Sequence, residues 1–230
     1  QTIRIWDTAR PRAVRTIVEA GKRLLRGSKL IFRADGKLQV RADREVRMLD
    51  PVDGRVLQVV KSQRVAWSRD GMHAAYWNGR EVCVRHRDDP AVLTRREFGK
   101  TTFARIAWNP RDDRLVVPCD DATWIWNPFA KPGPPHAEPT KIGNRRLLAV
   151  WWTPDGRRVG QATWSNHVRI YDAATSEKLR TVSVARGFGH EPAPRGTRFV
   201  TGTQDHFLRV YDEASGELVK EWIAHGGRVL

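Results

Sequence analysis

The sequence predicts an all-β protein made of repeated four-stranded antiparallel sheets, and three observations carry that expectation. First, short alternating runs recur, each ending in a polar residue: TIRIWD at Asp7, EVRMLD at Asp50, EVCVRH at His86, ATWIWN at Asn127, HVRIYD at Asp172 and FLRVYD at Asp212. Successive end points lie between 36 and 45 residues apart. Second, the same order of strand and turn signals returns within each interval. Third, the bends between strands are short, which favours antiparallel meanders over crossover helices. A period of about 40 residues with four short strands is the signature of a propeller blade.

Each period opens on an apolar run ending in a large aromatic, at Phe32, Trp67, Trp108 and Trp152. A turn follows, written RADG, SRDG, NPRDD, TPDG and, more weakly, APRG, with the Pro, Asp and Gly chemistry that reverses a chain. A second strand comes next (KLQVRA, MHAAYW, RLVVPC, RVGQATW, TRFVTG), then the capped third strand. Polar turns such as DG, TSE and SGE lead to a fourth (RVLQVV, VLTRREF, KLRTVSV, ELVKEWI).

The runs RIWD, RIYD and RVYD and the PDG turn resemble the WD-repeat β-propeller family over essentially the whole chain. The resemblance implies five complete blades, at 19–60, 61–98, 99–146, 147–185 and 186–225, with 1–18 supplying part of another blade and 226–230 starting a further strand. In the family, strands from both chain ends close the ring and remove exposed edges. Here the closing blade lacks most of its first strand and all of its second. Gln1 also opens directly on an alternating run, so the chain is expected to be a fragment of a six-bladed or larger ring.

Members of the family often carry a hydrogen-bonded His, Ser or Thr, Asp and Trp set in each blade. The third-strand Trp occurs here only as Trp6 and Trp126, with Leu49, Arg85, Tyr171 and Tyr211 in the other blades. The turn Asp is read as Asp43, Asp120 and Asp205, replaced by Gly79 and Ser165 elsewhere, and Ala224-His225 only approximates the usual Gly-His. Most blades must therefore be held by apolar packing, to which each buried first-strand aromatic contributes about 1.5 to 3 kcal/mol.

An apolar content of 40% over 230 residues suffices for a real core. No run approaches the ~18 apolar residues of a membrane helix, and no basic-then-apolar leader is present. Cys83 and Cys119 are too few for a disulfide framework and lack zinc spacing, which points to a reduced, cytoplasmic setting. The net charge of +15 would attract nucleic acid, anionic lipid or acidic protein, but arginine is spread along the chain without a basic tail.

No catalytic or metal constellation stands out. His73, His86, His136, His167, His190, His206 and His225 show no two-ligand spacing and read as turn or strand residues. Asp88-Asp89 and Asp112-Asp113 lie in turns, where Asp bonds the backbone. No phosphate-binding glycine loop occurs. The chain is thus read as non-enzymatic and without cofactor. The proline-rich insert at 127–139 reads as a stiff surface loop, or as an extended segment for an aromatic groove.

The resemblance places partner binding on the narrow face round the central channel. Seven positions before the residues that open the first-strand turns stand Arg26, Lys61, Thr102, Arg146 and Arg186, four of them basic where 41 of 230 residues are. Nearby positions add Phe188 and Trp164 as apolar anchors. The expected function is a protein-interaction scaffold, a module of a larger protein, with a basic rim favouring acidic partners. The alternatives are nucleic-acid or polyanion binding through the same charge, and a targeting domain of an enzyme whose catalytic part lies elsewhere.

Overall fold

The computed structural model describes residues 2–7, 12–18, 30–32, 36–42, 45–60, 65–87, 89, 91–100, 104–131, 138–143, 147–193 and 196–223, with side chains from Gly36 onward except Arg41, Ala42 and Phe188. The first element is a hairpin, β1 (Thr2–Asp7) with β2 (Arg12–Val18). Five four-stranded antiparallel meanders follow in sequence order. These are β3 (Leu30–Phe32), β4 (Leu38–Ala42), β5 (Glu45–Leu49) and β6 (Val56–Val60); β7 (Val65–Trp67), β8 (His73–Asn78), β9 (Glu81–His86) and β10 (Val92–Glu97); and β11 (Ala107–Trp108), β12 (Leu115–Pro118), β13 (Thr123–Trp126) and β14 (Thr140–Ile142). The last two are β15 (Leu147–Trp152), β16 (Arg158–Thr163), β17 (His167–Asp172) and β18 (Lys178–Ser183), then β19 (Gly187–Pro192), β20 (Arg198–Thr203), β21 (Phe207–Asp212) and β22 (Leu218–Ile223). No described strand of the last sheet pairs with β1 or β2.

The polar residue that ends four of the third strands, Asp50, Asn127, Asp172 or Asp212, has a definite task. The side-chain oxygen of Asp172 accepts the amides of Ala174 and Thr175, and Asp212 accepts those of Ala214 and Ser215. Asp50 and Asn127 each accept one amide, from Val52 and Phe129. These bonds turn the chain toward the fourth strand and hold the Asp172 and Asp212 carboxyls below their ordinary range, chiefly through the Thr175 and Ser215 amides. A bulge accompanies the cap, because the register slips just before it at Leu49, Tyr171 and Tyr211. Four residues past the cap the amide returns to the cap carbonyl, from Gly54, Ser176 and Gly216. All three have positive φ, so Ser176 at 63° carries a side chain where two blades use glycine.

The core lies between sheets rather than inside any one. Second strands are buried on both faces: every residue of β12 and all of β16 after Arg158 are buried. Fourth strands form the outer rim, with β22 exposed throughout and charged residues breaking its edge. One cluster joins the β7–β10 and β11–β14 sheets through Val82, Val84, Trp108, Leu115 and Trp126. A second joins the β11–β14 and β15–β18 sheets, and a third the last two sheets through Trp151 and Phe199.

Polar latches stitch the same interfaces. The indole nitrogen of Trp108 donates to the Ala66 carbonyl at 3.0 Å, and that of Trp152 donates to the Ala107 carbonyl at 3.0 Å. In each case the first-strand aromatic reaches the first strand of the preceding blade. Arg114 adds a clamp: its guanidinium donates to the Ala173 carbonyl at 2.8 Å and lies 5.3 Å over the Trp152 ring. The first residues of the proline-rich insert lie against the interface between the β7–β10 and β11–β14 sheets. Phe129 packs 4.7 Å from the His73 ring and 6.2 Å from Trp108, while residues 132–137 fall outside the described residues.

Two outcomes follow. Trp152→Phe keeps an aromatic ring but leaves the half-buried Ala107 acceptor without its donor, so the urea unfolding midpoint should fall by the equivalent of about 1 kcal/mol. Ser176→Gly should instead raise the midpoint by up to about 1 kcal/mol, because glycine adopts the left-handed geometry without a Cβ clash; a lower midpoint would show that this turn does not store strain.

Candidate interaction site

The rim expected from the sequence is partly within view. Arg26, Lys61, Thr102 and Arg146 lie outside the described residues, and Phe188 is described only as backbone within β19. Arg186 is exposed at the start of β19, its carbonyl accepting the Gln204 amide at 2.8 Å. Trp164 is 49% exposed in the β16–β17 turn. The Val184 amide donates to the Asn166 carbonyl of that turn, so Trp164 and Arg186 stand at the same end of the sheets.

The Arg186 contact has a counterpart two blades earlier. There the Asp120 amide donates to the Lys100 carbonyl at 3.0 Å, so Lys100, also exposed, stands where counting had put Thr102. Two further residues separate Lys100 from the end of its first strand, compared with Arg186, and a fixed offset therefore missed it. The turn Asp shifts as well. Leu115 pairs with Trp126 as Phe199 pairs with Tyr211, which aligns Asp121 rather than Asp120 with Asp205.

Asp205 itself is a structural cap. It takes two bonds from Arg209, at 2.7 and 3.0 Å, and one from the Thr203 hydroxyl, so its carboxyl is held far below the usual range, first of all by Arg209. Arg209 continues to Glu221 at 2.9 Å. In the preceding blade Ser165 replaces the acid, and Thr163 bonds it at 2.9 Å without charge. A cleft of about 750 Å³ near Lys100 holds charges of both signs, with Arg80 on Glu97 at 2.8 Å and Arg96 paired to Glu138.

The innermost strands enclose a second feature that sequence reasoning did not single out. A cavity of about 1090 Å³ runs along β11, β15 and β19 to the turns that follow the first strands. Trp108, Trp151 and Trp152 form part of its wall, and Arg69, Arg105 and Arg111 line it with a single carboxylate, Glu191. His190 lines it from β19 and is 5% exposed, with neither ring nitrogen bonded. Burial pushes this imidazole below its ordinary pKa, with the Gly187 backbone opposing the shift. Strand register sets His190 level with Val150 and Ile106, so the legible signal was a polar residue where two other blades carry apolar ones.

Glu213 is the other unusual group. It follows the Asp212 cap at the position of Ala173, yet it is 2% exposed. Trp151 donates to one carboxyl oxygen at 3.5 Å, and the other has no partner. Burial raises its pKa to about 7, against weaker lowering by Trp151 and Arg158.

No family model matches the sequence, nor does any curated protein. Among solved structures, the β-propeller domain of Cps50 (Swd1) from Myceliophteria thermophila superposes over 90% of this chain and 73% of its own, with a TM-score of 0.68 at 14% identity. The chain has the β-propeller fold. The blades of this propeller are the five meanders, its channel wall is the row of first strands, and the WD-repeat resemblance of its third strands rests on the capped turns described above. Among the described residues of the propeller, no group of three His, Cys, Asp or Glu side chains could hold a metal ion, and no helix is long and apolar enough to cross a membrane.

Because the folded state holds the Glu213 proton above its ordinary 4.5 and up to about 7, stability contributed by the neutral acid should fall as pH rises through that window. Thermal melts at pH 5 and pH 8 should show this loss, and Glu213→Gln should remove it. An unchanged slope in the variant would assign the effect to other groups.

Proposed function

We propose that this propeller is a non-catalytic interaction module that binds an acidic segment of a protein partner at the face where its second strands turn into its third. The observation that carries the reading is the matched placement of Lys100 and Arg186. Both are exposed basic residues held by the same backbone contact at the entry to a first strand. Neither carries an ion pair among the described residues. Trp164 offers exposed aromatic surface at the same end, the residue type that anchors interfaces. Arg26, Lys61, Arg146 and Phe188 extend the same proposed rim by sequence position, and the +15 charge favours acidic partners over neutral ones.

Rigid blades suit this role, because a site carried on packed strands loses little freedom on binding. A polyanion reading draws on the same total charge and is separated by ligand. Binding of a fluorescent ten-residue Glu-rich peptide should weaken about tenfold in Lys100→Glu/Arg186→Glu, with the fold intact by circular dichroism. Peptide affinity unchanged by that double reversal would overturn the rim. Tight duplex DNA binding with a steep salt slope and no peptide binding would replace it with the polyanion reading.

A further inference from the structure

We infer that the channel-wall cavity is a second binding site, distinct from the rim, that takes a small organic phosphate monoester. Its chemistry is built from three elements. Arg69 lies in the turn between β7 and β8, and Arg111 in the turn between β11 and β12, so both stand at the end of the channel opposite Lys100 and Arg186. Neither guanidinium makes an ion pair or side-chain hydrogen bond among the described residues, so both forks remain open to a ligand. Arginine forks match the oxygens of a phosphate two at a time.

Charge selects the class. The open forks of Arg69 and Arg111 bring two positive charges to the lining, which a phosphate monoester balances as its dianion near neutral pH. The remaining wall is aromatic and apolar, with Trp108, Trp152, Pro110 and Pro154 in place to cover the organic body of such a ligand. A volume of about 1090 Å³ accommodates a compact molecule rather than a folded partner.

His190 is the independent sign that something polar belongs in this space. Its ring is 5% exposed, both nitrogens lack partners, and its cross-strand neighbour Thr201 has an unbonded hydroxyl as well. A buried imidazole left unbonded is destabilising unless a ligand or ordered water completes it. At the same level Val150 and Ile106 fill the wall with apolar groups. The polar residue stands where the cavity is.

The test uses the tryptophans of the wall as the probe. Phenyl phosphate titrated into the full chain should change tryptophan fluorescence saturably, and inorganic phosphate should compete. Arg69→Glu/Arg111→Glu, at two exposed turn positions, should weaken the affinity at least about tenfold with the fold intact by circular dichroism. Lys100→Glu/Arg186→Glu should leave it unchanged, which separates this site from the rim and lets either fail alone. His190→Val, isosteric with Val150 in the preceding blade, should also weaken binding while leaving the unfolding midpoint the same or higher. Absence of saturable binding by the wild-type chain, or affinity unaltered in Arg69→Glu/Arg111→Glu, would overturn the inference.

Discussion

The first-strand tryptophan that donates its indole proton to the first strand of the blade before it is the contact on which the rest of this structure depends. A propeller blade cannot bury its own faces; each needs the next one, and apolar packing alone leaves neighbours free to slide. The Trp108 to Ala66 and Trp152 to Ala107 bonds, both 3.0 Å, fix the slide because an indole has one donor and reaches one carbonyl. Arg114 reinforces the second latch from above the Trp152 ring. With the innermost strands so registered, the channel wall becomes a surface of defined shape.

That registration explains why polar anomalies collect at the last interface. Pro192 of β19 stands where Trp152 and Trp108 stand in earlier blades, and a proline has no indole to give. The interface is held instead by Trp151, which lies on Phe199 at 5.9 Å and donates to Glu213. A buried carboxyl with one free oxygen is a weaker and pH-dependent substitute for an indole to carbonyl bond. His190, with neither ring nitrogen bonded, belongs to the same blade. The least regular blade is therefore the one whose interior remains available for binding.

The repeated features were legible in the sequence because each is a local rule. The cap at Asp172 or Asp212 reads as Asp followed by a short polar turn, where its side-chain oxygen meets the next amides. The first-strand aromatics were equally plain, although their hydrogen bonds were not, since a carbonyl acceptor has no sequence signature. Site residues resisted the same method. Lys100 was missed because a fixed offset assumes equal connections, and the one before β11 is longer. Asp120 was taken for Asp121 because the β12–β13 turn is shorter than the β20–β21 turn. Glu213 could not be told from an exposed turn acid, because its burial is set by Trp151 in another blade.

The latch is tested most directly by hydrogen exchange of the indole protons, followed by NMR on the intact chain. Bonded and buried, the ring protons of Trp108 and Trp152 should exchange as slowly as the amides of β12 and β16, while that of the exposed Trp222 should exchange within the dead time. Equally fast exchange at Trp108, Trp152 and Trp222 would contradict the account, because the blades would then be held without the contact that sets their register.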